Sequence, residues 1–560
     1  MADSILPPKR VTELLDEAEK NLTKGRFNDN RTRYIDEDDK GYRVILAEAL
    51  EKKVKNSARK YERPLHFKSA YICGNLDLKE IDFQKKVTFI HCVFSDIISF
   101  EGSRFPQETS FATTLFLKNA FFEDVHFDNY LSFNKAQFAE KALFIFAQFV
   151  ESASFEEAQF GENSSFFNAQ FGENTSFEFA RFVKNTNFRA AQFGENTSFF
   201  NAQFAENAFF NETQFGENTS FEFARFADKA SFEHANFKTN TRFHHTIFGN
   251  ELNFNNCLFK GVASFNHSEF KGAVKFRLSS YLFDELSFED VRLNEVNDIR
   301  FWTDFDMINV LFKDSDISKM DFHNVKWHQE KSRYVVGDEL LIREPMNKDY
   351  FKDTKELKDK KKEKDNKIKY WKELQRIYGV LRVHYEEKKD FDSSERFYHS
   401  EMNAKRQTAN WFTRYIIMGF YWLTADFSQS VLRPILSLIV LIFAFSFLYA
   451  VTGLEVKKED VSQFNKTSPV SVTQVKASQK KKTQVKPLIL RWDDFLTQDS
   501  NQAMKIGRLF DYTIKISFYQ KDLPFKQGGV YTTILNVIQF GLTVLIVTFL
   551  VFAVRKRFKR

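Results

Sequence analysis

The chain has 560 residues, 69 of them phenylalanine against six tryptophans and seven methionines, which is too long and too biased for one ordinary globular domain. Its formal net charge of +6 is unevenly shared: residues 101–293 carry 25 acidic against 16 basic side chains, so this stretch is acidic and the remainder strongly basic. Three scattered cysteines, Cys73, Cys92 and Cys257, exclude a disulfide framework and a zinc knuckle and fit a reducing compartment.

The opening MADSILPPKRVTELLDEAEK has no apolar h-region, so no signal peptide is expected and the amino end is placed in the cytosol. Apolar residues recur at helical spacing from Val11 to Arg59, which predicts a helical cap over residues 1–64 covering the end of a repeat array. The array begins near Leu65, first with Leu and Ile and then with Phe.

From about Phe83 to Leu293, phenylalanine returns at alternating intervals of six and five residues, as at Phe155, Phe160, Phe166, Phe171, Phe177, Phe182 and Phe188. The unit is therefore eleven residues, typically AQFGENTSFFN, and a fixed period signals a repeat architecture. Eleven residues would also suit a right-handed helical supercoil. Ser, Thr, Asn, Gly and Phe are mediocre or poor helix formers, and no Leu stripe is present, so helix is rejected. Two positions before each Phe stands a small residue, Ala158, Ala169, Ala180, Ala191 and Ala202 before one Phe and Ser164, Thr175, Thr186 and Thr197 before the other. In extended backbone both point inward. The polar GENT and GENS tetrads between them supply corners, with Asn and Gly expected to provide left-handed or side-chain-bonded turns.

These small-x-Phe-x-x tandems resemble the pentapeptide-repeat family in an 11-residue double-unit form. The resemblance implies a β-solenoid, a right-handed quadrilateral β-helix of four-sided coils, each of about 22 residues, stacked roughly 4.8 Å apart. The Phe-rich stretch then makes nine to ten coils and a rod on the order of 45 Å long, its interior filled by rings worth about 1.5–3 kcal/mol each. The repeat-containing domain is assigned to residues 65–342.

No nucleophile, acid pair or metal spacing occurs in the rod, so no catalytic, cofactor-binding or metal-binding residue is assigned and no enzyme is expected. Residues 22 apart share one outer face. Glu151, Glu173, Glu195 and Glu217 therefore form a column beside Asn174, Asn196, Asn218 and Asn240, a solvated acidic face or a docking face for a basic protein partner. His245 and His267 are one coil apart, and two ligands are too few for a metal.

Beyond Asn294 the beat loosens, yet Phe312, Ile317 and Phe322 keep five-residue spacing and predict a further coil. Asp338 and Glu339 are adjacent carboxylates with nothing nearby to complete an acid–base site. Residues 343–367 form a charged linker or the exposed start of a helix. A helix pair follows over 368–408, with Trp371, Leu374, Tyr378, Leu381 and Tyr385 on one apolar face and Asp392 or Ser393 as the N-cap of the second helix, which bears Phe397, Tyr398 and Met402.

Residues 409–432, including NWFTRYIIMGFYWL, are aromatic and amphipathic and suit the membrane interface. Ile435–Leu454 and Tyr531–Val554 are long enough and apolar enough to be transmembrane helices. They define a two-span region over 433–560 with an extracytoplasmic loop at 455–530. Arg433 before the first span and the terminal RKRFKR after the second place both termini in the cytoplasm, against the lysines of the long loop. Ile506–Phe525 is amphipathic between two spans, the layout of a two-helix channel, but no glycine-rich filter follows it. Asn536 and Gln539 within the second span either seal helix contacts or line a pore.

The order of these pieces, with FHNVKW, YWKELQRIYGVLRVHYEE, SQSVLRP before a span, KDLPF and a basic end, is similar to that of pentapeptide-repeat membrane proteins of bacteria and archaea. The resemblance implies a multi-pass protein of a prokaryotic plasma membrane. Two function classes follow: a membrane-anchored scaffold whose rod binds a protein partner, and a sensor-gated pore or membrane-perturbing effector assembled as a homo-oligomer. DNA mimicry, used by some soluble relatives, needs a strongly anionic untethered rod, so no nucleic-acid partner is expected; the lipid membrane is. No cofactor is implied.

Overall fold

The computed structural model describes residues 43–55, 60–276, 283–293, 299–302, 307–323, 325–343, 360–427, 430–457, 489–491, 493, 502–518, 520, 523–526 and 530–558. The chain divides into two compact units, residues 1–328 with 335–344, and residues 329–334 with 345–560.

The first unit is a parallel β-solenoid of about 11 turns. Most strands are two residues long, and each pairs with the residues one coil away, as Gln159–Phe160 with Arg181–Phe182 and Ser164–Ser165 with Thr186–Asn187. The strands form four faces. Two are 12-stranded and one is 10-stranded. The fourth is two shorter sheets joined through single bridges at Ser154, Ser176, Ser198, Ser220 and Arg242.

The inward positions are those read from the repeat. Phe155, Phe166, Phe177, Phe188 and Phe199 are inaccessible to solvent, as are Ala158, Ala169, Ala180, Ala191 and Ala202. Rings one coil apart stack nearly parallel, Phe155 on Phe177 at 4.7 Å and Phe177 on Phe199 at 5.0 Å, and meet rings of the adjacent column edge-on. Inward hydroxyls are satisfied by the backbone: Thr213 Oγ1 donates to the Phe188 carbonyl at 2.8 Å and Thr246 Oγ1 to that of Phe221 at 2.7 Å.

Corners differ in part from the expectation. After each central Phe a four-residue turn closes, with Ala180 N–H donating to the Phe177 carbonyl at 3.1 Å, and its third residue lies at positive φ. That residue is whatever the repeat supplies, including Glu157, Phe179, Ala190 and Phe223, so coil stacking overrides the usual cost of about 1–2 kcal/mol. In the GENT corners it is Asn174, Asn196 and Asn218 that are left-handed, at φ 55–56°, and not the glycines. Glycine serves close approach instead: a Cβ on Gly194 would lie 2.6 Å from the Gly172 carbonyl carbon.

The solenoid also starts earlier than Leu65. Arg43–Leu46, expected to be helical, is a strand paired with Ala70–Cys73, and Lys60–Tyr61 pairs with Asp82–Phe83. These early coils, with the pairing of Ile299–Trp302 to Met320–His323, take the total past nine or ten. Helix α1 (Ala47–Lys55) buries Ala47, Leu50 and Val54. The helix expected nearer the amino terminus falls outside the described residues. At the other end helix α2 (Gly337–Arg343) starts against the last coil: a Cβ on Gly337 would meet the Ile308 carbonyl at 2.3 Å. Asp338 and Glu339 serve this closure. The Asp338 carboxylate accepts the Phe312 N–H at 3.0 Å, and buried Glu339 is bonded by Arg343.

In the second unit, helices α3 (Lys360–Glu387) and α4 (Phe391–Thr408) form the expected antiparallel pair. Trp371, Leu374, Tyr378, Leu381 and Tyr385 are buried, with Tyr385 stacked on Phe397 at 5.5 Å. The N-cap of α4 is Asp390, which accepts the Ser393 N–H at 3.1 Å, rather than Asp392 or Ser393. A short π-helical segment, Thr413–Ile417, leads into helix α5 (Met418–Ala425). Helices α6 (Leu432–Thr452) and α8 (Val530–Phe558) include the two stretches long and apolar enough to cross a membrane. Between them runs helix α7 (Gln502–Ser517), which ends sooner than the amphipathic stretch read from the sequence.

Candidate functional site

On the solenoid the GENT corners put one residue of each type on the same edge in successive coils. The asparagines form a continuous amide ladder: Asn196 Nδ2 donates to Asn174 Oδ1 at 3.1 Å, Asn218 to Asn196 at 3.0 Å and Asn240 to Asn218 at 3.1 Å. Their left-handed backbone aims the amides along the stack. Each corner is also tied by its Thr, as where Thr197 Oγ1 donates to the Gly194 carbonyl at 3.0 Å.

Glu151, Glu173, Glu195 and Glu217 occupy the adjoining column, with Glu173 exposed and Glu195 and Glu217 half-buried. Elsewhere on the solenoid several acidic side chains pair with a base one coil away: Lys86 with Glu108 at 2.8 Å, Lys118 with Glu140 at 2.8 Å and Lys184 with Glu206 at 2.9 Å. None of the four column carboxylates is in an ion pair among the described residues. Such a column holds like charges at about the 4.8 Å coil repeat and attracts cationic groups.

His245 and His267 stack at 4.9 Å, with His267 bonded to Asp290 at 3.0 Å, and no cluster able to hold a metal occurs among the described residues. A separate shallow groove of about 890 Å³ lies on a flat face, lined by Asn163, Asn185, Asn187, Asn211 and Phe209.

In the second unit Asn536 and Gln539 are buried. Gln539 Oε1 accepts from the Tyr449 hydroxyl at 2.7 Å, and its Nε2 donates to the Thr513 carbonyl at 2.8 Å and Ser517 Oγ at 2.6 Å. Asn536 bonds the Tyr512 hydroxyl at 3.1 Å, and Ser446 Oγ donates to Thr513 Oγ1 at 2.9 Å. The two polar residues thus fasten α7 to α8, Gln539 also joins α6 to α8, and Ser446 joins α6 to α7. Sequence spacing shows them on one face of α8 but gives no sign of these partners, which lie 22 to 90 residues away.

Sequence reasoning also missed a polar line, buried at His399 and Asp426 and exposed at Arg433. His399 Nε2 in α4 lies 2.7 Å from Asp426 Oδ1 at the left-handed C-cap of α5, and Asp426 Oδ2 lies 3.2 Å from Arg433 at the start of α6. It ties the helix pair, the short aromatic helix and the first long helix together. No motif spacing marks it, since its three residues come from three elements.

The comparisons agree with this architecture. Residues 210–258 match the family model for pentapeptide repeats (9 copies), and the same 22-residue pairing continues on both sides of that segment. No curated protein and no solved structure matched. Residues 210–258 are thus similar to pentapeptide repeats, the four-faced solenoid around them is built on the same coil, and two apolar helices of membrane-spanning length lie toward the carboxyl end.

Proposed function

We propose that the chain is a non-enzymatic scaffold anchored in a prokaryotic plasma membrane by two spans, with both termini cytoplasmic and the solenoid presented to a basic protein partner. The observation that carries this reading is the Glu151–Glu217 column, four stacked carboxylates without a base on a solenoid where glutamates of other columns pair with lysines one coil away. A stacked-ring core supports it, because a rigid surface loses little entropy on binding. The test is Glu173→Lys with Glu195→Lys in the full chain. The partner retained by the parent should be lost while the chain stays in the alkaline-washed membrane fraction. An unchanged set of co-purified proteins overturns the docking face.

One observation favours the sensor-gated pore as a second reading: α7 is a short amphipathic helix held between two long apolar ones. Ion flux from liposomes bearing the purified chain separates the two, since the scaffold predicts none.

A further inference from the structure

From the end of α4 through α5 the chain carries Trp411, Phe412, Tyr415, Ile416, Ile417 and Leu423 with about half or more of their surface exposed. At the edge of this apolar surface lie two arginines. The Arg406 guanidinium sits over the Trp422 ring at 5.4 Å from its centroid, and that of Arg414 over Tyr415 at 5.5 Å. Arg414 also bonds Gln407 Oε1. Among the described residues neither has a carboxylate partner. Burial, and secondarily the charge of Arg414, pulls the Arg406 pKa below its ordinary value. Two adjacent cations, half-buried and unpaired, are costly unless an anion joins them.

The neighbouring helices fix the level of this pair. Tyr421 of α5 packs on Phe549 of α8 at 4.5 Å, about 9 Å along the helix from Arg555. On the other side the α5 C-cap, Asp426, is paired with Arg433 at the start of α6. The aromatic segment therefore lies where both apolar helices end. Tryptophan and tyrosine concentrate at that depth in a bilayer, and amphipathic segments settle there.

We propose that Arg406 and Arg414 form a binding site for the phosphodiester of an anionic membrane phospholipid, with Trp411, Tyr415 and Trp422 seated among the headgroups. Guanidinium groups match phosphate oxygens in a bidentate way, and ring stacking holds both forks in place. The site rests on the reading of α6 and α8 as membrane spans.

The test uses the full chain reconstituted in vesicles of phosphatidylcholine containing either brominated phosphatidylglycerol or brominated phosphatidylcholine, reading quenching of tryptophan fluorescence against a Trp411→Phe variant. Brominated phosphatidylglycerol should quench Trp411 more strongly. From about 1 kcal/mol per basic residue near an anionic surface, each of Arg406→Gln and Arg414→Gln should lower the preference about fivefold. Arg406→Lys with Arg414→Lys keeps the charge without the fork; it should retain part of the preference and shows that the segment still folds. Equal quenching by both lipids overturns the site while leaving the membrane anchor intact. No quenching by either overturns the anchor itself. Loss of the preference on adding excess inorganic phosphate would assign the pair to a soluble anion and overturn the lipid.

Discussion

Truncating one ring at the middle of the solenoid tests how its core is held together. Phe199 is inaccessible to solvent, stacks on Phe177 at 5.0 Å and on Phe221 at 4.7 Å, and meets Phe188, Phe193 and Phe210 edge-on at 5.5–5.7 Å. Removing a buried Phe ring costs about 3–5 kcal/mol through lost transfer energy and the cavity left behind. Each aromatic pair adds about 0.5–1.5 kcal/mol, and these terms overlap. Phe199→Ala should therefore cost about 4 kcal/mol, and Phe199→Leu, which refills part of the volume, about 2 kcal/mol. Coils touch only their neighbours, so the loss should stay local. Hydrogen exchange read by mass spectrometry on the full chain is the assay. Amides of the coils on either side of Phe199 should exchange about a thousandfold faster in Phe199→Ala, with coils near Phe105 and Phe265 unchanged. Phe223 is the control: it is outward-facing, 45% exposed, stacked on exposed His245 and edge-on to half-buried Phe200, and Phe223→Ala should cost less than about 1 kcal/mol. Acceleration below tenfold, or spread evenly over the solenoid, would refute the account of stacked rings coupled coil to coil.

Other predictions follow from single side chains. Asn196→Ala should destabilise the solenoid by about 1–2 kcal/mol, losing two ladder bonds and placing alanine at positive φ, whereas Asn196→Gly should cost less because it keeps the backbone conformation; equal losses in chemical denaturation would remove the conformational part. Of the three thiols, only half-buried Cys73 should react with a disulfide reagent in the native state. Burial pushes the Cys92 thiol up to about 12, and Cys257 is buried with its thiol donating to the Phe232 carbonyl at 2.8 Å; three fast equivalents would contradict this. Burial first, and the charge of Glu289 second, raise the Glu285 carboxyl above its usual range. A carboxyl raised in the fold weakens the folded state where it is ionised, so Glu285→Gln should raise the melting temperature at neutral pH. The gain should vanish as pH falls below the unfolded carboxyl value. A gain that persists in acid would rule that cause out.

Much of the solenoid is legible because its core is periodic: a Phe and a small residue two positions apart define the inward face in every coil. The ends are not legible in the same way. Arg43–Leu46 has the apolar spacing of a helix, and only the coil that receives it, Ala70–Cys73, makes it a strand. The corners were half legible. Asn at GENT is left-handed as its side chain favours, but Phe179 and Phe223 are left-handed because the stack demands it. For the candidate site, the 22-residue interval reveals the Glu and Asn columns, and the same interval would have revealed the Lys–Glu pairs that set the Glu column apart. Contacts among α6, α7 and α8, and the His399–Asp426–Arg433 line, depend on how separate helices pack, which no local pattern encodes.

The most direct test of the scaffold proposal places a photo-crosslinking residue at position 195 of the full chain in native membranes, with position 225 on a different face of the solenoid as its control. The account predicts one protein adduct from position 195, absent from position 225 and lost when Glu173 and Glu217 are both changed to Lys. The same adducts from both positions, or none from position 195, would contradict it.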